Sequence, residues 1–221
     1  MSSTVKDVMS THVIAVRQSA PYKDMAAMLH DQRVSAFPVL DDDNKVVGVV
    51  SEADLLTKAA FEGTVPRTLA SRQERVRKQV NALTATDLMT KPPVTIGPDE
   101  PVSDAARLMF DRGVKRLPVI DVNGKLIGIL TRADVLRVYG RPDADLQHQV
   151  KDLILGTFGD EPDRFTVTVK DGIVTVEGTT ESTNARHDII SAVRHMEGVV
   201  AVRDRLSSPA DSSRQAGHIP R

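Results

Sequence analysis

Two tetrads in the chain carry a hydroxyl and a carboxylate three residues apart, each directly after an apolar run: Ser51-Glu52-Ala53-Asp54 and Thr131-Arg132-Ala133-Asp134. Two chemistries fit this spacing. In a capping box, the Ser or Thr ends a strand and caps a helix, and the Asp reaches back to the cap residue. In a ligand site, the same junction presents unpaired N–H groups at a helix N-terminus, which suit a phosphate. The carboxylate would then accept from a ribose diol, and the hydroxyl would donate to a phosphate. Both readings stay open on these tetrads alone. Upstream, residues 33–39 and 113–119 bring small or apolar side chains, among which an adenine could lie and be read by main-chain groups. The second copy adds Lys115, Arg116 and Arg132, where the first has Ser35, Ala36 and Glu52. Two unequal sites are expected, the second suited to more negative charge because arginine–phosphate contacts are charge-assisted.

The elements that must hold these residues also occur twice. Pro38, Gly48 and Asp54 recur as Pro118, Gly128 and Asp134, and Asp7 and Met9 recur as Asp87 and Met89, all at an offset of 80. The repeat needs no gap, which identifies an internal duplication. Each copy begins with a helical turn near residues 5–9. A strand at residues 13–16 and a helix after Pro21 come next, with Met25, Met28 and Leu29 on one stripe. Residues 34–40 are the next strand. Asp41 to Asn44 form an Asx-type turn, and residues 46–50 read as a strand buried on both faces. Ser51 then opens a helix carrying Leu55 and Leu56. Residues 85–140 repeat this β-α-β-β-α order, so the domains are expected at 1–60 and 85–140, joined by a charged linker at 61–84. The linker holds Arg72, Arg75, Arg77 and Lys78, read as a solvated helix face. A third pattern follows at 143–207. Leu146, Val150, Leu153 and Ile154 make a helical stripe, Phe165, Val167 and Val169 alternate as a strand, and Asp171-Gly172 marks a hairpin. The order is α-β-β-α-β. Residues 208–221 are expected to be a disordered tail.

Composition excludes several classes. The formal charge of -1 gives no global attraction for nucleic acid. Absent cysteine excludes disulfides and thiolate metal sites. Absent tryptophan and 3% aromatics leave little for stacking single-stranded bases. No run approaches the roughly 20 apolar residues needed to span a bilayer, and no secretory segment opens the chain, so a cytoplasmic protein is expected. The six histidines lack metal-ligand spacing, and no Walker loop, Gly-x-Gly-x-x-Gly or nucleophile elbow is present. A non-enzyme is expected.

Residues 5–56 and 85–139 resemble a tandem pair of CBS domains, a Bateman module. The Asp-x-Met opening, the x-Pro-Val strand and Gly-apolar-apolar-Ser/Thr-x-x-Asp carry the resemblance. It implies an α/β fold of two intertwined repeats with two clefts, regulatory binding of AMP, ADP, ATP or S-adenosylmethionine without a required cofactor, and a homodimer. By the family pattern Asp54 and Asp134 would hold ribose, and Ser51, Thr131, Lys115, Arg116 and Arg132 would approach phosphate. Val13, Ile14, Val94 and Thr95, with Val34 and Val114, would line the base pocket beside Ser35. Ala15 stands where the second repeat has Thr95, and the first repeat lacks the basic pair, so the first site is expected to be the poorer phosphate binder. Residues 143–207 resemble a BON domain, a small α+β unit, through the Val167 to Gly178 hairpin and the closing Gly198-Val199. That resemblance implies a phospholipid-binding surface; because no secretory segment is read here, a protein-interaction or oligomerisation domain is the preferred expectation. The combined expectation is a non-catalytic sensor that relays nucleotide occupancy to the BON domain. The alternative is a constitutive adaptor with vestigial clefts.

Overall fold

The computed structural model describes residues 3–61, 80–158 and 164–208. The basic linker segment around Arg72 and the tail beyond Ser208 lie outside the described residues. The chain divides into two units, Thr4–Val135 and a second that starts at Leu136 and takes in Ser3.

In the first unit, α1 (Val5–Val8), β1 (Val16–Arg17), α2 (Tyr22–Asp31), β2 (Ala36–Leu40), β3 (Val46–Ser51) and α3 (Glu52–Ala60) make the first repeat. The second repeat contains α4 (Ala85–Leu88), α5 (Val102–Asp111), β4 (Arg116–Ile120), β5 (Leu126–Thr131) and α6 (Arg132–Arg137). Strands β1, β2 and β3 form one sheet, with β1 parallel and β3 antiparallel to β2. Strands β4 and β5 form the matching antiparallel pair, and a parallel bridge from Ile96 to Val119 stands in for the third strand. The strand expected at residues 13–16 shortens to Val16–Arg17.

α2 forms where the Met25 stripe predicts it. Met25 is fully buried, and Met28 and Leu29 pack half-buried against the same core. That core joins Val16, Phe37, Val39, Val50 and Leu55 to Ala82, Ala85, Leu88 and Met89, so the opening segment of the second repeat lies inside the core of the first. The exchange is reciprocal. Thr90 pairs with Val49 and Ser10 with Ile129, while Pro21 pairs with Thr84 and Thr4 with Pro101. Each bridge is the image of another at the 80-residue offset, which defines a pseudo-twofold axis; Lys45 pairs with Lys125, its own counterpart, on that axis. Two expectations change. In residues 46–50, Gly48 and Val50 are buried, while Val46, Val47 and Val49 are half-buried. β3 is an edge strand, with one face on the core and the other on a cavity. Leu55 is buried, whereas its neighbour Leu56 is exposed and borders the same cavity.

The second unit is α7 (Asp143–Phe158), β6 (Phe165–Lys170), β7 (Ile173–Thr179), α8 (Thr183–Arg194) and β8 (Ala201–Ser207). The sheet order is β6-β7-β8, antiparallel then parallel. Leu146, Val150 and Ile154 of α7 and Ile189, Ile190 and Val193 of α8 pack on Val167, Val174, Val176 and Leu206. The hairpin turns at Asp171 and Gly172, both at positive φ. The Asp143 carboxylate accepts from both of their N–H groups, at 2.7 and 2.9 Å, and so fixes the turn to the start of α7. Among the described residues no helix is long and apolar enough to cross a membrane.

Candidate functional site

The Ser51/Asp54 tetrad folds as a cap. Asp54 Oδ2 accepts from the Ser51 N–H at 2.9 Å and from its Oγ–H at 2.6 Å. Asp134 does the same for Thr131, at 2.9 and 2.6 Å. Both carboxylates are buried. The junction is fixed from the strand side as well. The Glu52 N–H donates to Ser35 O at 3.0 Å, and the Arg132 N–H to Lys115 O at 3.1 Å. Thus the residue that begins each helix is tied to the residue just ahead of β2 or β4, which holds the tetrad beside residues 33–36 or 113–116.

A cavity of about 510 Å³ opens at the first of these junctions. Ser51, Glu52, Ala53 and Asp54 form one wall. Val94, the run Gly113, Val114, Lys115 and Arg116, and Ser35 and Ala36 line it as well. The cavity therefore takes its hydroxyl and carboxylate from one repeat and its basic pair from the other. Spacing along the chain groups Lys115 and Arg116 with Thr131 and Asp134 and leaves the first site without the basic pair. In the fold the pair borders Asp54, because the repeats exchange segments across the pseudo-twofold axis. Val49, Leu56, Thr90, Pro92 and Pro93 complete the lining. Sequence reasoning did not single these out. Thr90, Pro92 and Pro93 lie far from Asp54 along the chain, and the signal that could have found them is the exchange itself.

The remaining predicted residues fall elsewhere. Ile14 and Val34 pack partly buried on the core of the first repeat, Val13 is half-buried, and Thr95 is half-buried beside the Ile96 bridge. Under the 80-residue offset, Val13, Ile14, Val34 and Ser35 are the counterparts of Pro93, Val94, Val114 and Lys115. Pro93, Val94, Val114 and Lys115 line the cavity of Ser51 and Asp54, whose own counterparts are Thr131 and Asp134.

Arg116 has the most distinctive setting. Its guanidinium donates to Ser35 Oγ and, at 3.4 Å, to Ala36 O. Both acceptors are neutral. Burial pushes the guanidinium below its ordinary arginine value. A cation desolvated without an acidic partner is a strong anion acceptor, since an incoming phosphate supplies the charge-assisted bonds it lacks. Lys115 beside it is exposed. Among the described residues no group of three or more His, Asp or Glu could hold a metal ion.

The CBS domain profile matches residues 5–60 and 85–141, and the BON domain profile matches residues 142–209. The chain belongs to the CBS-domain family, carrying a CBS pair followed by a BON domain. Among its relatives is the chloroplastic CBS domain-containing protein CBSX2 of Arabidopsis thaliana. It is 34% identical over 149 residues, which cover 61% of this chain and 62% of that protein. The crystal structure of CBSX2 in complex with AMP superposes with a TM-score of 0.55 at 36% identity, covering 66% of this chain and 98% of that one. The CBS domain pair of protein MJ0100, in complex with 5'-methylthioadenosine and S-adenosyl-L-methionine, matches at 25% identity and a TM-score of 0.51, over 62% of this chain and 100% of that one. An uncharacterized protein of Methanopyrus kandleri is 28% identical over 68% of this chain and 69% of its own length.

Proposed function

We propose that this protein is a non-catalytic regulator that binds adenine nucleotides of the AMP, ADP and ATP class in the clefts of its CBS pair and relays occupancy to the BON domain. The observation that carries the reading is Arg116. It is a half-buried cation held by neutral groups alone, in the wall of a cavity that also contains the Ser51 and Asp54 tetrad and the start of α3. That wall supplies a carboxylate for a ribose diol, a cation and helix N–H groups for phosphate, and apolar Val94, Pro93 and Val114 for a base. The AMP bound by CBSX2 and the S-adenosyl-L-methionine bound by the MJ0100 pair support an adenosine ligand. S-adenosylmethionine is the weaker candidate here, because its sulfonium would face Arg116. The pair acts as a homodimer through its CBS repeats, and the BON domain receives a protein partner.

A constitutive adaptor is the second reading, favoured by the hydrogen bonds that already employ Asp54 and Asp134 as caps. Titration calorimetry of the full chain with AMP, ADP, ATP and S-adenosylmethionine, repeated on Asp54→Ala and Asp134→Ala, separates the two. The sensor predicts nucleotide binding that weakens in the variants. The adaptor predicts no heat from any ligand, and a stability loss of about 0.5–2 kcal/mol from each lost cap.

A further inference from the structure

Arg116 sits where the two halves of the pair meet. It donates to Ala36 O, and Ala36 is its own counterpart at the 80-residue offset. A side chain that reaches the backbone of its own counterpart crosses the pseudo-twofold axis. Ser35, Ala36, Lys115 and Arg116 all line the described cavity, and as a set the four map onto themselves under the same offset. Applied to the second tetrad, the same offset would give the cleft of Asp134 these four residues as its wall. Of the two paired positions one is Arg116 and the other Ala36, so this pair supplies one guanidinium for two clefts.

We propose that Arg116 is a single phosphate-binding cation shared by both clefts, so that a ligand phosphate held in either cleft weakens phosphate binding in the other. This rests on the adenine-nucleotide reading above. An empty pair keeps the guanidinium on Ser35 and Ala36, two neutral acceptors that yield readily to an anion. The first phosphate takes the charge-assisted bonds. A second phosphate then meets a cation already neutralised and a like charge beyond it. The coupling is reciprocal, so it does not matter which cleft fills first. Glu52 and Arg132 still make the clefts unequal on their own account, which the test must separate from sharing.

Calorimetry with AMP on the full chain makes that separation. Asp54→Ala leaves the cleft of Asp134, Asp134→Ala leaves the cleft of Asp54, and each is compared with the same variant also carrying Arg116→Gln, which keeps an N–H donor and removes the charge. Sharing predicts that Arg116→Gln weakens AMP at least tenfold in both backgrounds, and that Arg116→Lys restores most of the loss. It also predicts that the second AMP on the unaltered protein binds at least tenfold more weakly than the same cleft does alone. An Arg116→Gln effect in one background only overturns sharing and leaves the nucleotide reading standing. Two AMP molecules bound with the single-cleft affinities do the same. No AMP binding by the unaltered protein overturns both. Should Asp54→Ala or Asp134→Ala fail to fold, as judged by thermal denaturation, Asp54→Asn and Asp134→Asn carry the same comparison with the cap geometry retained.

Discussion

The Ser/Thr-x-x-Asp arrangement occurs four times in the first unit. Besides the two tetrads at the ends of β3 and β5, Asp7 accepts from Thr4, and Asp87 from Thr84. Asp7 and Asp87 are exposed, whereas Asp54 and Asp134 are buried. The motif alone therefore specifies a cap, and its surroundings decide whether it can also serve a ligand. The exposed caps have a pH signature. The Thr84 and Leu83 N–H groups hold the Asp87 carboxyl below its ordinary 3.8, and the Thr4 hydroxyl does the same for Asp7. A carboxylate depressed in the fold stabilises above its ordinary pKa, and the contribution is lost as pH falls through the folded value. Asp87→Asn is therefore expected to lower the unfolding midpoint at pH 7, with the difference from the unaltered protein narrowing once the pH falls below 3.8. Chemical denaturation above and below that value reads this; an equal gap at both would assign the loss to packing. At this scale, residue types were legible in the sequence, and residue groupings were not. Lys115 and Arg116 stand out in one dimension, but which carboxylate they face is set by strand exchange.

The elements show where local signals suffice. The β6–β7 hairpin is legible because Asp171 and Gly172 supply the positive φ that its turn needs, a demand settled within a few residues. α2 is legible because its stripe has the helical period. The strand expected at residues 13–16 is shorter than its apolar pattern suggests, because the preceding segment is committed elsewhere: Ser10 pairs with Ile129 of the other repeat. The same exchange explains two glycines. A Cβ at Gly48 would overlap the Met89 side chain, and one at Gly128 would overlap Met9. Each methionine arrives from the opposite repeat, so the Asp-x-Met opening and the strand glycine are two halves of one contact. Gly48→Ala is expected to cost about 1–3 kcal/mol through overpacking, and adding Met89→Ala should recover much of it. A double-mutant cycle in denaturant measures the coupling; additive losses would mean that the contact is not what requires glycine.

At the scale of the molecule, the chain passes from the CBS unit to the BON unit within α6, which follows Thr131 and carries Asp134 in its first turn. A relay from nucleotide to BON domain has to change the second unit's stability or exposure, since a ligand shifts an equilibrium only by its difference in affinity for the two states. Hydrogen exchange with and without saturating AMP tests this. Slower exchange is expected at amides around Ser51, Glu52, Lys115 and Arg116, together with altered exchange beyond Leu136. Changes confined to residues before Val135 would leave a nucleotide-binding pair with no relay.

The sequence alone determined the duplication, the helices and hairpins with strong local signals and the absence of disulfides, because each depends on neighbouring residues or on a pattern compared with itself. Only the tertiary structure decided that the repeats exchange their opening segments, that Lys115 and Arg116 border the cavity of Asp54, and that Arg116 reaches its own counterpart, Ala36. A twofold arrangement can be satisfied by pairing each segment with its own repeat or with the other. The choice is made by packing, through Met89 on Gly48 and Met9 on Gly128, between residues that no local pattern connects.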